Sequence, residues 1–397
     1  MKINKFYLFS FFYHLAYSAL AAIAIIAFTN NGLSLKVITF AQSVAWASSL
    51  VLEVPSGMLA DYFGRKRTII LTCVFEFLSI VVYFFSKNFL FLLIGQLLFA
   101  ISECCLSGTF DAWLFSSANP DKSEPRKKIT RNGTVCLIAN LIGGTLGGLL
   151  TNIWNGFLWI FSGTMILICF FICLTMKDIV TEKKILSFSD GLKKVTSPLK
   201  SISSIFKSKP ALILLPEMWF ISFFLAGPNN LWQPFFLTSL QKTASFISFM
   251  WIFIQLIQIL VNFIISKFKI ITDNFIITSI ITLFFISFTI ILLSLFHGNY
   301  ICIPIFLLFI FFYSLQGPIL GTFTAEIFKE EDRATCFSIL SLIGSVISAI
   351  GLSLGGYLSD IYGIPFVYKF AGIALIFVLI LHIIFSLLMS IKSKYKN

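Results

Sequence analysis

Long apolar runs dominate this chain and decide its class. Twelve stretches, 7–28, 37–60, 69–86, 89–115, 134–151, 157–176, 211–238, 244–266, 275–296, 301–327, 335–358 and 366–391, are made almost entirely of Ala, Val, Ile, Leu, Phe and small polar residues. A helix needs about 20 such residues to cross the hydrocarbon core of a bilayer, so each run can span it. The runs are continuous and not alternating, which excludes a transmembrane barrel. With 58% hydrophobic and 12% charged residues, the chain carries more apolar surface than a water-soluble fold can hide. The expectation is an all-α membrane protein with 12 transmembrane helices and little chain left for a soluble domain.

The net charge of +12 invites a nucleic-acid reading, but the placement of the cations opposes it. Of 29 Lys and Arg residues, all but Lys36, Lys87, Lys242 and Lys369 fall in segments that share one side if the amino terminus is inside. This is the positive-inside pattern, and it predicts a multi-pass protein of the cytoplasmic membrane with both termini cytoplasmic. The first span, preceded by Lys2 and Lys5, is too long for a cleaved signal peptide and is read as retained. Eight cysteines, including the pair Cys104 and Cys105, show no metal-ligand spacing and are expected to be free. No phosphate-binding G-x-x-x-x-G-K-S/T motif is present, so any transport must draw on an ion gradient, with no cofactor.

The expected organisation is a first six-helix bundle over 1–176, a basic linker over 177–209 and a second six-helix bundle over 210–397. The linker holds Lys183, Lys184, Lys193, Lys194 and Lys200 among Ser, Ile, Leu and Phe. It is either an amphipathic helix on anionic membrane lipids or a solvated connection.

Between spans 2 and 3 lies a polar island, E-V-P-S-G-M-L-A-D-Y-F-G-R-K-R, from Glu53 to Arg67. It reads as a tight turn at a membrane face, with Gly57 and Gly64 permitting close helix approach and a sharp turn. Asp61 and Arg65 are four apart, the spacing at which side chains meet on a helical turn. A generic cytoplasmic loop would explain the cations but neither the glycines nor the aspartate. Here the sequence resembles the major facilitator superfamily of secondary transporters, whose loop reads G-x-L-A-D-x-x-G-R-K/R. Gly57, Leu59, Ala60, Asp61, Gly64, Arg65 and Lys66 match. The resemblance implies a conformational latch made of Gly57, Asp61, Gly64, Arg65 and Lys66, with Asp111 in span 4 accepting from Arg65. It also implies two pseudo-symmetric bundles in a single chain, acting as a monomer with a small-molecule substrate site near the midplane.

Internal similarity agrees with duplication. G-G-L-L-T-N-I-W from Gly147 in span 5 matches G-G-Y-L-S-D-I-Y from Gly355 in span 11, and G-T-F-D-A from Gly108 matches G-T-F-T-A from Gly321. After span 8 the chain reads S-K-F-K-I-I-T-D from Ser266, so the second half keeps only the basic character of the latch.

Ionisable side chains inside spans are costly and usually functional. Glu103 lies two turns deeper than Asp111 on the expected span 4 helix, on about the same face. A carboxyl at that depth could exchange a proton near neutral pH, as a proton-coupled carrier requires, or hold a cationic solute. The alternative is a structural hydrogen bond. Glu76 in span 3 and His14 in span 1 are further candidates for proton coupling, followed by Glu53 and Glu217. A lone histidine is often just a packing residue.

Drug/proton antiporters of the superfamily carry R-x-x-Q-G-x-G in span 4, and Gln96 stands here where that arginine would be. Span 5 reads A-N-L-I-G-G-T-L-G-G from Ala139, resembling the antiporter pattern G-x-x-x-G-P-x-x-G-G with Gly144 in place of proline, which leans toward export. The superfamily's cavity-lining spans offer Tyr17, Gln42, Trp46, Gln96, Asn140, Asn229, Asn230, Trp232, Gln255, Gln258, Tyr313 and Gln316. Span 7 is expected to be broken at G-P-N-N-L-W-Q-P, from Gly227 to Pro234. Few fixed charges and many aromatics suit an amphipathic or weakly cationic solute.

The function these features predict is proton-coupled efflux, an antiport through the cell membrane, by alternating access. An importer of a nutrient, metabolite or metal chelate on the same fold is the alternative. A membrane enzyme would need clustered ligands, whereas His14, His297 and His382 are far apart in sequence.

Overall fold

The computed structural model describes residues 4–116, 124–177, 209–267, 275–327 and 333–394. Its described residues form thirteen helices: α1 (Lys5–Asn30), α2 (Leu35–Phe63), α3 (Arg65–Phe84), α4 (Phe89–Leu106), α5 (Thr109–Ser116), α6 (Glu124–Ile153), α7 (Asn155–Leu174), α8 (Lys209–Leu240), α9 (Ala244–Lys267), α10 (Phe275–Leu295), α11 (Cys302–Ile327), α12 (Arg333–Tyr362) and α13 (Ile364–Lys394). Helix is the form in which a chain satisfies its backbone polar groups inside lipid. Eleven of the expected spans are long and apolar enough to cross a membrane among the described residues. The twelfth, α8, is helical over 32 residues. The expected linker lies mostly outside the described residues.

Side-chain caps set several helix starts. Asn4 accepts from Phe6 N, Ser34 from Val37 N and Asn88 from Phe91 N, meeting donors that the first turn leaves open.

At the polar island α2 runs to Phe63 and α3 begins at Arg65, so the tight turn expected there is Gly64 alone, at φ 87°. That left-handed backbone is what a glycine supplies. Gly57, expected at a close helix approach, is exposed with open space where a Cβ would stand. Span 4 is not one helix: the chain breaks at Ser107 and Gly108, the latter at φ 69°, so Glu103 and Asp111 belong to α4 and α5 and share no helical face. Span 7 is not broken: α8 continues through Pro216, Pro228 and Pro234. Side chains add bonds to carbonyls along this stretch, with Asn230 Nδ2 donating to Ala226 O, Thr238 Oγ1 to Pro234 O and Tyr368 OH to Pro228 O.

The described chain clusters into two compact units, one of residues 1–192 and 242–255 and the other of 193–241 and 256–397. In the first, α6 packs on α1, and α3 on α4 and α7. A Cβ on Gly143 would collide with the Leu15 carbonyl, and one on Gly147 would stand 2.5 Å from the Ala19 carbonyl. In this unit Ser248 and Trp251 cover Gly148 and Gly144, and Trp251 Nε1 donates to Asn140 O at 2.9 Å. In the second unit α8 packs on α12, and α13 on α10 and α8. A Cβ on Gly351 would meet the Phe223 carbonyl, and one on Gly355 the Gly227 Cα at 2.8 Å. Both glycine pairs and their contact residues repeat 208 positions apart, so the duplication seen in the sequence is a duplication of packing.

Cys73, Cys104, Cys105, Cys136, Cys169, Cys173 and Cys302 form no disulfide among the described residues. Gly143→Ala is expected to lower stability by ~1–3 kcal/mol, because it overpacks a backbone contact, while Gly57→Ala stays within ~0.5 kcal/mol. Thermal unfolding of the two variants in detergent checks this contrast.

Candidate functional site

Three helices of the first unit bring their polar residues together. Tyr13 of α1 is buried and its hydroxyl donates to Glu103 Oε1 of α4 at 2.7 Å. Glu76 of α3 is 1% exposed and its Oε2 has no hydrogen-bond partner among the described residues. Glu76 and Glu103 interact electrostatically, and Ser102 lies within hydrogen-bonding reach of Glu76 while its Oγ also donates to Thr72 O at 3.1 Å. Next to Tyr13 on α1, His14 is within reach of the Asn140 side chain of α6, and one turn along Tyr17 stacks near Phe99 with ring centroids 6.4 Å apart. Tyr17 is 37% exposed, so this aromatic edge is open.

The sequence singled out Glu103, Glu76 and His14 separately; the structure places them in one bundle, with Glu76 beside Glu103. It adds Tyr13 and Ser102, which sequence reasoning missed. The available signal was the i, i+4 series Phe9, Tyr13 and Tyr17 on α1, where a hydroxyl recurs on one face.

No Lys or Arg occurs in α1 beyond Lys5, in α3 beyond Arg67, or anywhere in α4. The carboxyl pair thus has hydroxyl partners and no fixed counter-cation from these helices. A hydroxyl can donate to a carboxylate and accept from the neutral acid, so it serves either protonation state. Such a site can trade a proton for a cation, and leaving it empty and charged in an apolar setting is expensive.

At the α2–α3 junction Arg65 Nη1 donates to Ala112 O and Ser116 Oγ of α5, both at 2.7 Å. The resemblance pointed to Asp111 as its acceptor. In this structure the break at Gly108 turns α5 so that Asp111 is exposed, and Arg65 is taken by the next residue's carbonyl. Asp61 is exposed too. Lys66 Nζ bonds to Leu174 O and Met176 O, and Lys5 Nζ to Thr175 O, so two cations cap the carboxyl end of α7, where helix carbonyls and dipole favour positive charge.

The other sequence candidates are dispersed. Gln96 is buried on α4, and Gln42 and Trp46 are half-buried on α2, which packs on α4. In the second unit, Gln316 Nε2 donates to Thr282 Oγ1 at 2.8 Å and joins α11 to α10. Trp232 is buried against Phe306, and Asn230 bonds within α8. Asn229 lies within hydrogen-bonding reach of Tyr313, which is 37% exposed. Gln255 is buried and Gln258 half-buried on α9.

Membrane-length helices in two internally similar units, with buried carboxyls lacking counter-cations, define a polytopic carrier-like membrane protein. The chain belongs to the Major Facilitator Superfamily, whose family model matches residues 6–319 and 276–396. It is similar to the uncharacterized MFS-type transporter YxaM of Bacillus subtilis (strain 168), with 23% identity over 388 residues, covering 96% of this chain and 95% of that protein. Among solved structures it resembles nucleoside transporter NupG, with TM-score 0.74, 12% identity and coverage of 96% and 99% of the two chains. A D-xylose-proton symporter gives TM-score 0.68 at 12% identity, covering 94% of each chain. The human organic anion transporter MFSD10 gives 0.63 at 16%, covering 95% and 98%. The protein is therefore a multi-pass secondary transporter of a small-molecule substrate.

The latch geometry makes a stability prediction. Arg65→Ala should cost ~1.5–3 kcal/mol through loss of charge-assisted hydrogen bonds, and Asp111→Asn less than ~0.5 kcal/mol. Denaturation of both variants under matched conditions measures the difference; equal losses would return Asp111 to the contact.

Proposed function

We propose that this transporter exports an amphipathic or weakly cationic solute in exchange for protons, by alternating access. The observation that carries the reading is the part-buried Tyr13–Glu103 hydrogen bond beside the buried Glu76. A carboxyl pair without a fixed cation binds either a proton or a cationic solute, and two ligands that displace one another at one site give exchange, not co-transport. The aromatic edge formed by Tyr17, Phe99 and the His14 ring suits the apolar part of such a solute, and a cation over an aromatic face gains further attraction. Gln96, in place of an arginine, adds no competing positive charge. Glu103 and Glu76 bind the proton, Tyr13 positions Glu103, and His14 with Asn140 supplies hydrogen bonding to the polar end of the solute. The latch around Gly64, Arg65 and Lys66 biases the conformational equilibrium. The expected location is the cytoplasmic membrane, with both termini in the cytoplasm and lipid as the surrounding partner.

The reading is tested in proteoliposomes with ethidium as the cationic probe and an imposed proton gradient. Ethidium movement should run against the proton flow and collapse when the gradient is dissipated. Movement in the same direction as protons would favour the importer alternative, and indifference to the gradient would remove proton coupling. Glu103→Gln should reduce gradient-driven movement at least ~10-fold, the effect of losing about 1.4 kcal/mol of coupling, while ethidium binding persists. Tyr13→Phe, which keeps the carboxyl and removes its donor, should give an intermediate loss.

A further inference from the structure

The second unit holds a buried ionisable cluster that the exchange site does not use. Glu217 of α8 is 3% exposed and receives a hydrogen bond from Ser279 Oγ of α10 at 2.5 Å. Its Oε2 stands 2.6 Å from His382 Nδ1 of α13, out of line for an ordinary hydrogen bond, and His382 is equally buried. His382 Nε2 has no partner among the described residues. Three helices thus converge on one carboxyl and one imidazole.

The other ionisable residues of the surrounding helices are separated from the pair along the chain. The α10 helix carries none, and α8 adds Lys209, eight residues before Glu217. On α13, Tyr368 and Lys369 lie thirteen or more residues before His382, with Tyr368 bonded to Pro228 O, and Lys392 and Lys394 lie ten or more after it. On α12, Arg333 and Cys336 stand at its start, and Tyr357, Asp360 and Tyr362 lie beyond Gly355, which sits beside Gly227, already ten residues further along α8 than Glu217. On α11 they are Cys302, buried at its start, Tyr313, which faces Asn229, and Glu326 at its end.

The internal repeat shows that the fold does not require this cluster. The shift of 208 that relates Gly143 to Gly351 places Glu217 at the position of Phe9, and the shift of 209 that relates Gly163 to Gly372 places His382 at that of Cys173. In the first unit that spot is filled by buried Phe9 with Cys169 and Cys173, small apolar groups and an aromatic ring. The same three-helix contact closes there without a charge. A structural staple also would not leave a buried ring nitrogen unpaired, since an unsatisfied polar atom is costly.

We propose that Glu217, His382 and Ser279 form a second proton-binding site, inside the second unit and distinct from the Tyr13–Glu103–Glu76 site. With one proton between Nδ1 and Oε2 and none on Nε2 the pair carries one net negative charge. Uptake of a further proton from the aqueous phase at Nε2 gives an imidazolium facing a carboxylate and makes the pair neutral, with Ser279 holding the carboxylate in place. A net charge is expensive in this setting, so release of that proton goes with a rearrangement that admits water, which ties protonation of the second unit to its conformation. The inference stands whether or not the solute is a cation.

The test counts protons taken up by purified protein in detergent, using a soluble pH dye, from about pH 8 to about pH 5.5, where histidine commonly titrates. Wild type should take up about one proton per molecule more than the double variant Glu217→Gln, His382→Gln. An equal count would overturn the site. Because the double variant alters a buried cluster, the same question is put to a protein that keeps it. With His14 and His297 replaced by Gln, the one remaining 15N-labelled histidine should change from an unprotonated to a protonated Nε2 over that range. A signal that stays fixed overturns the proposal. Glu103→Gln should leave this histidine change intact while reducing ethidium exchange, so failure of the exchange reading and failure of this site are told apart.

Discussion

The close approach of helix backbones at glycine, α1 on α6 and α8 on α12, is the contact on which the rest of each unit depends. Lipid offers no hydrophobic force to hold one apolar helix against another, so association relies on packing area and on backbone proximity that a side chain would forbid. Gly143 and Gly147 let α6 press on the carbonyls of Leu15 and Ala19, which fixes the rotation of α1. With α1 so rotated, Tyr13 is buried and reaches Glu103, and Phe9 stacks on both Tyr13 and Phe110. The polar site is a consequence of where small residues allow helices to touch.

This also reframes the glycine-rich stretch of span 5. As a sequence pattern it leans toward export, but all four of its glycines have steric work inside the first unit, two against α1 and two beneath Ser248 and Trp251. Close packing alone is enough reason for them. The proposal of exchange therefore rests on the chemistry of the carboxyl pair and not on that pattern.

The features legible in the sequence were those set by the bilayer. Span length, continuous apolarity and the cost of buried charge act on every residue, so helices, their number and the short list of membrane carboxyls could be read directly. The repeat was legible because Gly147 and Gly355 serve the same backbone contact. What escaped depended on single residues answering to neighbours distant in the chain. Gly108 breaks a run that periodicity reads as continuous, and its effect is to separate Asp111 from Glu103. Three prolines do not break α8, and Asn230, Thr238 and Tyr368 add side-chain bonds to its carbonyls, one of them from a different helix. Tyr13 and the chemistry of His382 were not legible in the sequence, since what makes them chemical is a carboxyl 90 and 165 positions away.

The two buried acids that do have close partners illustrate two ways of keeping a carboxyl inside a helical bundle. Glu103 is held by a phenol, which can donate to the carboxylate or accept from the acid, so its partner tolerates a change of occupant without moving. Glu217 is held by a histidine and a serine, and the histidine brings a proton of its own. The first arrangement leaves a place for something that arrives from outside; the second is charged at one proton and becomes a neutral pair at two. If one unit supplies the exchange site, the other is built to register proton availability. A carrier whose halves began as copies can divide the work in this way because the repeated glycine contacts keep the frame constant while the side chains at Phe9 and Glu217 diverge.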